Sequence, residues 1–117
     1  MTREEILALK PGKAFNVCVS EMIMGNRVVT DAIFGETEIY LSEHGETVFG
    51  RLQPYSEELT SARLVILKMA DLGYTEASLW ENEERPDVIC RAALLTILDE
   101  QKGKKKRRSG AKLHIVK

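Results

Sequence analysis

The stretch Arg85-Pro86-Asp87-Val88-Ile89-Cys90-Arg91-Ala92-Ala93-Leu94-Leu95-Thr96-Ile97-Leu98 constrains this chain more than any other. Pro86 suits a first helical turn, where its missing N–H would be unpaired in any case. Asp87 beside it places negative charge at the positive end of the helix dipole. From Val88 to Leu98 only Arg91 and Thr96 are not apolar. A helix apolar on nearly every face belongs inside a domain. At about a dozen residues it is too short to cross a bilayer, which takes about twenty. It is the expected core helix.

The chain has 117 residues, 44% of them hydrophobic and 30% charged, which suits one globular domain able to bury a core without disulfides or metal. Cys18 and Cys90 both fall in apolar helical patterns and read as buried free thiols. With no signal peptide visible before Cys18, the expected compartment is the cytosol. The net charge of −1 conceals a division. Residues 1–101 hold nine Lys/Arg against all 18 Asp/Glu, a net −9, whereas 102–117 hold eight Lys/Arg and no acid. We therefore read 1–101 as the domain and 102–117 as a basic tail.

Along the chain, Thr2-Arg3-Glu4-Glu5 has the form of a capping box and opens a short helical turn, Ile6 to Leu9, stopped by Pro11-Gly12. Phe15, Cys18, Val19, Met22 and Ile23 then form one helical stripe, predicting a helix from Lys13 to Met24 with Gly25 beyond it. From Arg27 the period shortens. Val28–Thr30, Ala32–Phe34, Glu36–Leu41 and Thr47–Phe49 predict two or three antiparallel strands, with a hairpin around Glu43–Glu46. Ser56 is the expected N-cap of a second helix whose stripe is Leu59, Ala62, Ile66, Met69 and Ala70, closed by Gly73. Thr75 to Trp80 reads as a further strand. Lys102 to Ser109 is a self-repelling run expected to be disordered unless it meets anions. Residues 111–117 alternate enough to offer an edge strand. The order gives an α+β domain: a small, mostly antiparallel sheet with helices on both faces.

No specific catalytic constellation is present. His44 and His114 lack recognisable partners, the two cysteines lack metal-ligand spacing, and no phosphate-binding glycine loop appears. No cofactor is expected. The pairs Glu57-Glu58 and Glu83-Glu84 read as capping and solubility rather than acid–base chemistry. Four features could meet a ligand. Tyr55-Ser56 sits at a helix start, where N–H groups attract anions, or is a cap with the ring packed on the sheet. Trp80 could stack a base or cover the core edge. Arg91 interrupts an apolar helix and needs an anion: an internal carboxylate, an interface contact or a ligand phosphate. Arg51 closes a strand, solvated or ligand-bound. In the tail, Lys104, Lys105, Lys106, Arg107 and Arg108 would bind phosphates without sequence preference, or pair with the acidic body of a neighbouring copy.

Three segments together resemble a known family. They are residues 1–13 (Met-Thr-Arg-Glu-Glu-Ile-Leu-Ala-Leu-Lys-Pro-Gly-Lys), Pro54-Tyr55-Ser56 leading into a helix with Lys68-Met69, and Pro86-Asp87-Val88-Ile89-Cys90-Arg91-Ala92-Ala93-Leu94-Leu95. They are similar to the "ABA sandwich" domain proteins of phages and prophages, over about residues 1–100. The resemblance implies helices on both sides of a sheet and a phage protein acting in an infected bacterial cell. It brings no catalytic residues. For a small non-catalytic phage protein we expect an anti-defence role, sequestering a nucleotide-derived immune signal with Tyr55, Ser56, Trp80, Arg91 and Arg51 as ligand residues. The alternatives are a module binding a host or phage protein, and nucleic-acid binding through the tail. A homo-oligomer is expected, and no membrane partner.

Overall fold

Glu5 N–H donates to Thr2 Oγ1 at 3.1 Å and Thr2 N–H donates to Glu5 Oε1 at 2.7 Å, closing the capping box. In the computed structural model, which describes residues 1–111 and side chains as far as Gln101, this box starts α1 (Arg3–Ala8). The helix thus begins three residues before the expected turn. After Pro11-Gly12, α2 (Lys13–Met22) buries Phe15 and Val19, with Ile23 buried just beyond. Met22 is 41% exposed, so the stripe is narrower than expected and the helix ends two residues early.

Three antiparallel strands follow in the order β1 (Arg27–Asp31), β2 (Gly35–Leu41) and β3 (Thr47–Arg51). Ala32–Phe34, read above as strand, is instead the β1–β2 turn. Asp31 Oδ1 accepts from the backbone N–H of Ile33 at 2.7 Å and of Phe34 at 2.9 Å, and Gly35 takes φ +79°. The same two donors hold the Asp31 carboxyl below its ordinary range, Phe34 contributing most. The second hairpin lies where expected: Ser42 N–H donates to the Glu46 carbonyl at 2.8 Å across Gly45, at φ +81°.

Two later expectations need correction. Ser56 does not cap the next helix, because Pro54 to Glu58 makes its own turn: the N–H groups of Glu57 and Glu58 both donate to the Pro54 carbonyl at 3.0 Å. Helix α3 (Leu59–Asp71) starts only after Glu58. Thr75–Trp80 is a 3₁₀ helix and not a strand. In that helix residues three apart eclipse, so Tyr74, Ala77 and Trp80 line one side; Ala77 is buried, and Tyr74 and Trp80 are packed against the core. Leu79, on the other side, is 78% exposed.

Helix α4 (Pro86–Ala111) is the core helix and packs on α3, α1 and α2. Ile89, Cys90 and Ala93 are fully buried and Leu94 and Ile97 nearly so. Each large apolar side chain buried here stabilises the fold by about 1.5–3 kcal/mol. The backbone of residues 102–111 continues this helix, so Lys104 to Arg108 lie on its C-terminal end. The suggested edge strand falls almost wholly on 112–117, outside the described residues. No helix among the described residues is long and apolar enough to cross a membrane.

The chain is α+β with an antiparallel sheet. The register places Val28, Glu38 and Gly50 in one row and Arg27, Ile39 and Phe49 in the next, on the opposite face. Helix α2 packs on the Glu38 side, where Ser20 meets Glu38. The second helical layer expected from the sequence is not among the described residues. On that side Phe49 is 67% and Leu41 70% exposed.

Candidate functional site

The polar interior is built by α2, β2 and the 54–58 turn. Glu38, 3% exposed, carries a carboxylate surrounded by donors. Its Oε2 accepts from the Ser20 hydroxyl, from Tyr55 Oη at 2.7 Å and from Asn26 Nδ2 at 3.0 Å. Its Oε1 accepts from Gln53 N–H at 3.0 Å. These donors replace the water that burial takes from Glu38, and no cation pairs with it among the described residues. Beside it, Asn16 Oδ1 accepts from both the N–H and the hydroxyl of Ser56, at 2.8 and 2.6 Å. Ser56 Oγ in turn accepts from Gly12 N–H at 3.0 Å.

Two of the expected ligand residues lie within this network. Tyr55 is 2% and Ser56 1% exposed, and both spend their polar atoms inside the protein. Burial, reinforced by the Glu38 hydrogen bond, pushes the Tyr55 phenol well above its ordinary range, so it stays protonated as a donor.

Arg91 is also internally engaged. Its Nη1 lies 3.4 Å from Asp87 Oδ2 one turn earlier, and its Nη2 donates to the Leu9 carbonyl. Its guanidinium sits 5.3 Å from the centroid of the Phe15 ring. Of the three anions considered for it, the internal carboxylate is the one in place. Its buried Nε has no hydrogen-bond partner among the described residues. Trp80 is packed on the core edge. Among the described residues, Tyr55, Trp80 and Arg91 do not line a common pocket.

Arg51 is different. It is exposed and lines two adjoining concave surfaces. The first, about 570 Å³, is lined by Lys13, Asn16, Phe34, Gly35, Glu36, Arg51, Leu52 and Glu57. The second, about 230 Å³, is lined by Phe34, Thr37, Phe49, Gly50 and Arg51. Phe34, shared by both, is 69% exposed. Lys13 and Asn16 come from the first turn of α2, whose N-cap Gly12 offers no side chain to the free N–H groups. Two acids temper the site: Lys13 Nζ lies 3.4 Å from Glu36, and Asn16 Nδ2 donates to Glu57 at 2.9 Å. Arg51 has no ion-pair or hydrogen-bond partner among the described residues, which leaves its five donors for a ligand.

Sequence reading missed Phe34, Phe49, Lys13 and Glu38. An available signal was the apolar pair Ile33-Phe34 between Asp31 and Gly35, a turn tip where apolar residues have no folding reason to stand. Cys18 and Cys90 are free thiols, the first half-buried and the second buried. Burial pushes the Cys90 thiol up to about 12, so it is a poor nucleophile. His44 lies in the β2–β3 turn, and His114 lies outside the described residues. Among the described residues no group of His, Cys, Asp and Glu could hold a metal ion. Side chains of Lys104 to Arg108 also lie outside what is described. Compared with known proteins, the chain matches no family model, no curated protein and no solved structure.

Proposed function

We propose that this chain is a non-catalytic, phage-encoded binding protein that sequesters a nucleotide-derived anion, in the cleft shared by Arg51, Phe34 and Lys13. The observation that carries this reading is the pairing of an unengaged guanidinium with an exposed phenyl ring on one concave surface beside a helix N-terminus. Phosphate is drawn to Arg51, Lys13 and the free N–H groups of α2, and a base has the Phe34 and Phe49 rings to lie against. Tight binding without turnover asks for no acid–base pair. The phage origin and anti-defence role rest on the family resemblance of residues 1–13, 54–69 and 86–95.

The test is a thermal-shift screen against cyclic dinucleotides, cyclic trinucleotides and ADP-ribose derivatives. At about 100 times Kd a ligand of the folded state adds about 2.7 kcal/mol, a rise in Tm on the order of 10 °C. The nucleotide should be recovered intact. A flat response to the whole panel overturns the reading.

A second reading, a protein-interaction module, is favoured by a different observation. Ile33, Phe34, Leu41 and Phe49 are all at least 67% exposed, on the sheet face that no helix covers among the described residues and on its adjoining turn. Together they present apolar surface on the order of 500 Å², toward the upper end of what a monomer leaves bare.

A further inference from the structure

Helix α4 is rooted in the core by Ile89, Cys90, Ala93, Leu94 and Ile97, and its backbone runs on to Ala111. At 1.5 Å per residue, positions 102–111 make a helical extension about 15 Å long. Six of the seven residues 102–108 are cationic: Lys102, Lys104, Lys105, Lys106, Arg107 and Arg108. From 102 to 110 the sequence holds no acid, no aromatic residue and nothing apolar beyond glycine. This is more positive charge than the helix itself can use. Cations answer the helix dipole only within the last turn, and solubility is served by mixed signs. Here like charges stand one turn apart, Lys102 with Lys106 and Lys104 with Arg108, which repels, and Gly103 weakens the helix further. A polyanion laid along the extension removes that repulsion.

We propose that this basic extension of α4 docks on the phosphate backbone of duplex DNA without reading its sequence, an activity separate from the Arg51 cleft. Charge density matches. Residues 102–108 occupy about 10.5 Å of helix, about one positive charge per 1.75 Å, and duplex DNA carries about one negative charge per 1.7 Å. Shape matches as well. At about 100° per residue the six cationic positions are spread round the whole helix axis, with no gap wider than about 100°. A helix about 10–12 Å across fits a major groove about 12 Å wide, where phosphates flank it on both sides.

Other polyanions fit less well. A bilayer meets a helix from one side only, and a helix lying in its surface brings apolar residues to that side, which 102–110 lacks. Single strands are gripped by stacking on aromatic rings, also missing from this stretch. The cores of protein interfaces are depleted in lysine. Four of the six cations are lysines, and 102–110 contains no Asn or Gln to pair with adenine, so the contacts fall on phosphates rather than on bases. Residues 1–101, at a net −9, are repelled by the duplex, so the extension alone comes close to it.

Fluorescence anisotropy of the full chain against a labelled DNA duplex of about 20 base pairs, about two helical turns, tests the proposal. About six phosphate contacts predict a slope of log K against log salt near −5, an affinity loss of about 10³-fold between about 0.05 and 0.2 M salt. Two duplexes of unrelated sequence should bind within about threefold of each other. The triple variant Lys104→Gln, Lys105→Gln, Lys106→Gln should halve the slope and weaken binding at least about 30-fold at the lower salt. Its Tm, and the rise in Tm with nucleotide, should match the wild type, because the substitutions lie beyond Ile97, the last residue of α4 buried among those described. No binding at about 0.05 M salt, a slope shallower than about −2, or a triple variant that binds like the wild type overturns the proposal. So does tighter binding to a single strand of the same length, or to phosphatidylcholine vesicles with about 30% phosphatidylserine.

Discussion

Tyr55 Oη and Glu38 Oε2 lie 2.7 Å apart in the interior, the phenol donating to a carboxylate that also receives Ser20 and Asn26. The pair ties the 54–58 turn to β2, and through Ser20 to α2, so the sheet is fastened to the helices by polar contacts as well as by apolar ones. Tyr55→Phe should cost about 1.5–3 kcal/mol, the value of a hydrogen bond to a charged group. Glu38→Ala should cost more, about 3 kcal/mol or above, because it strands several buried donors at once. Urea unfolding measures both. A Tyr55→Phe protein with unchanged stability and lost nucleotide binding would show instead that the phenol serves a ligand.

Alkaline pH should weaken the fold through the thiol beneath that turn. Cys90 Sγ donates to the Tyr55 carbonyl at 3.2 Å, and burial raises its pKa from 9.0 to about 12. The unfolded chain ionises this thiol first, so the stability it confers is complete below about pH 9 and disappears as pH rises toward 12. By pH 11 the loss should be about 2–3 kcal/mol, with Tyr55, also raised, acting in the same direction. Unfolding midpoints from pH 8 to 11 should fall in the wild type and fall less steeply in Cys90→Ala. Equal slopes would contradict this assignment.

Arg91, paired with Asp87 within α4, joins that helix to the end of α1 through the Leu9 carbonyl. Lysine keeps the charge but cannot hold both acceptors with one planar fork. Arg91→Lys should therefore lower stability by about 1–3 kcal/mol while leaving the ligand response intact. Calorimetric melting with and without nucleotide separates the two effects. A protein that melts like the wild type but no longer responds to nucleotide would return Arg91 to the binding site.

Much of the fold is legible in residues whose preferences are local. Thr2 and Glu5 announce their capping box, Asp87 and Pro86 their helix start, and Gly45 its hairpin. What is not legible depends on partners distant in sequence. Ser56 looks like a cap until Asn16, forty residues earlier, takes its hydroxyl and its N–H. Thr75–Trp80 alternates like a strand, but it pairs with no strand among the described residues, and the three-residue spacing of Tyr74, Ala77 and Trp80 prevails. Alternation in β2 separates Glu36, Glu38 and Tyr40 from Thr37, Ile39 and Leu41 without telling which set meets the helices. Hydrophobicity alone favours the second set, yet the structure buries Glu38 because Ser20, Asn26 and Tyr55 await it. Of Tyr55, Ser56, Trp80, Arg91 and Arg51, Arg51 is the one left unengaged on a concave surface among the described residues, since the others are hydrogen-bonded or packed inside.

The central claim is that Arg51 and Phe34 form the working part of a nucleotide-binding cleft, and titration calorimetry of wild type and Arg51→Ala against one nucleotide panel tests it most directly. Arg51 is exposed, so its truncation should alter stability by no more than about 0.5 kcal/mol. The wild type should bind one member of the panel and release it unchanged, and Arg51→Ala should bind it at least tenfold more weakly. No heat with any nucleotide, or equal affinity in the two proteins, would contradict the claim.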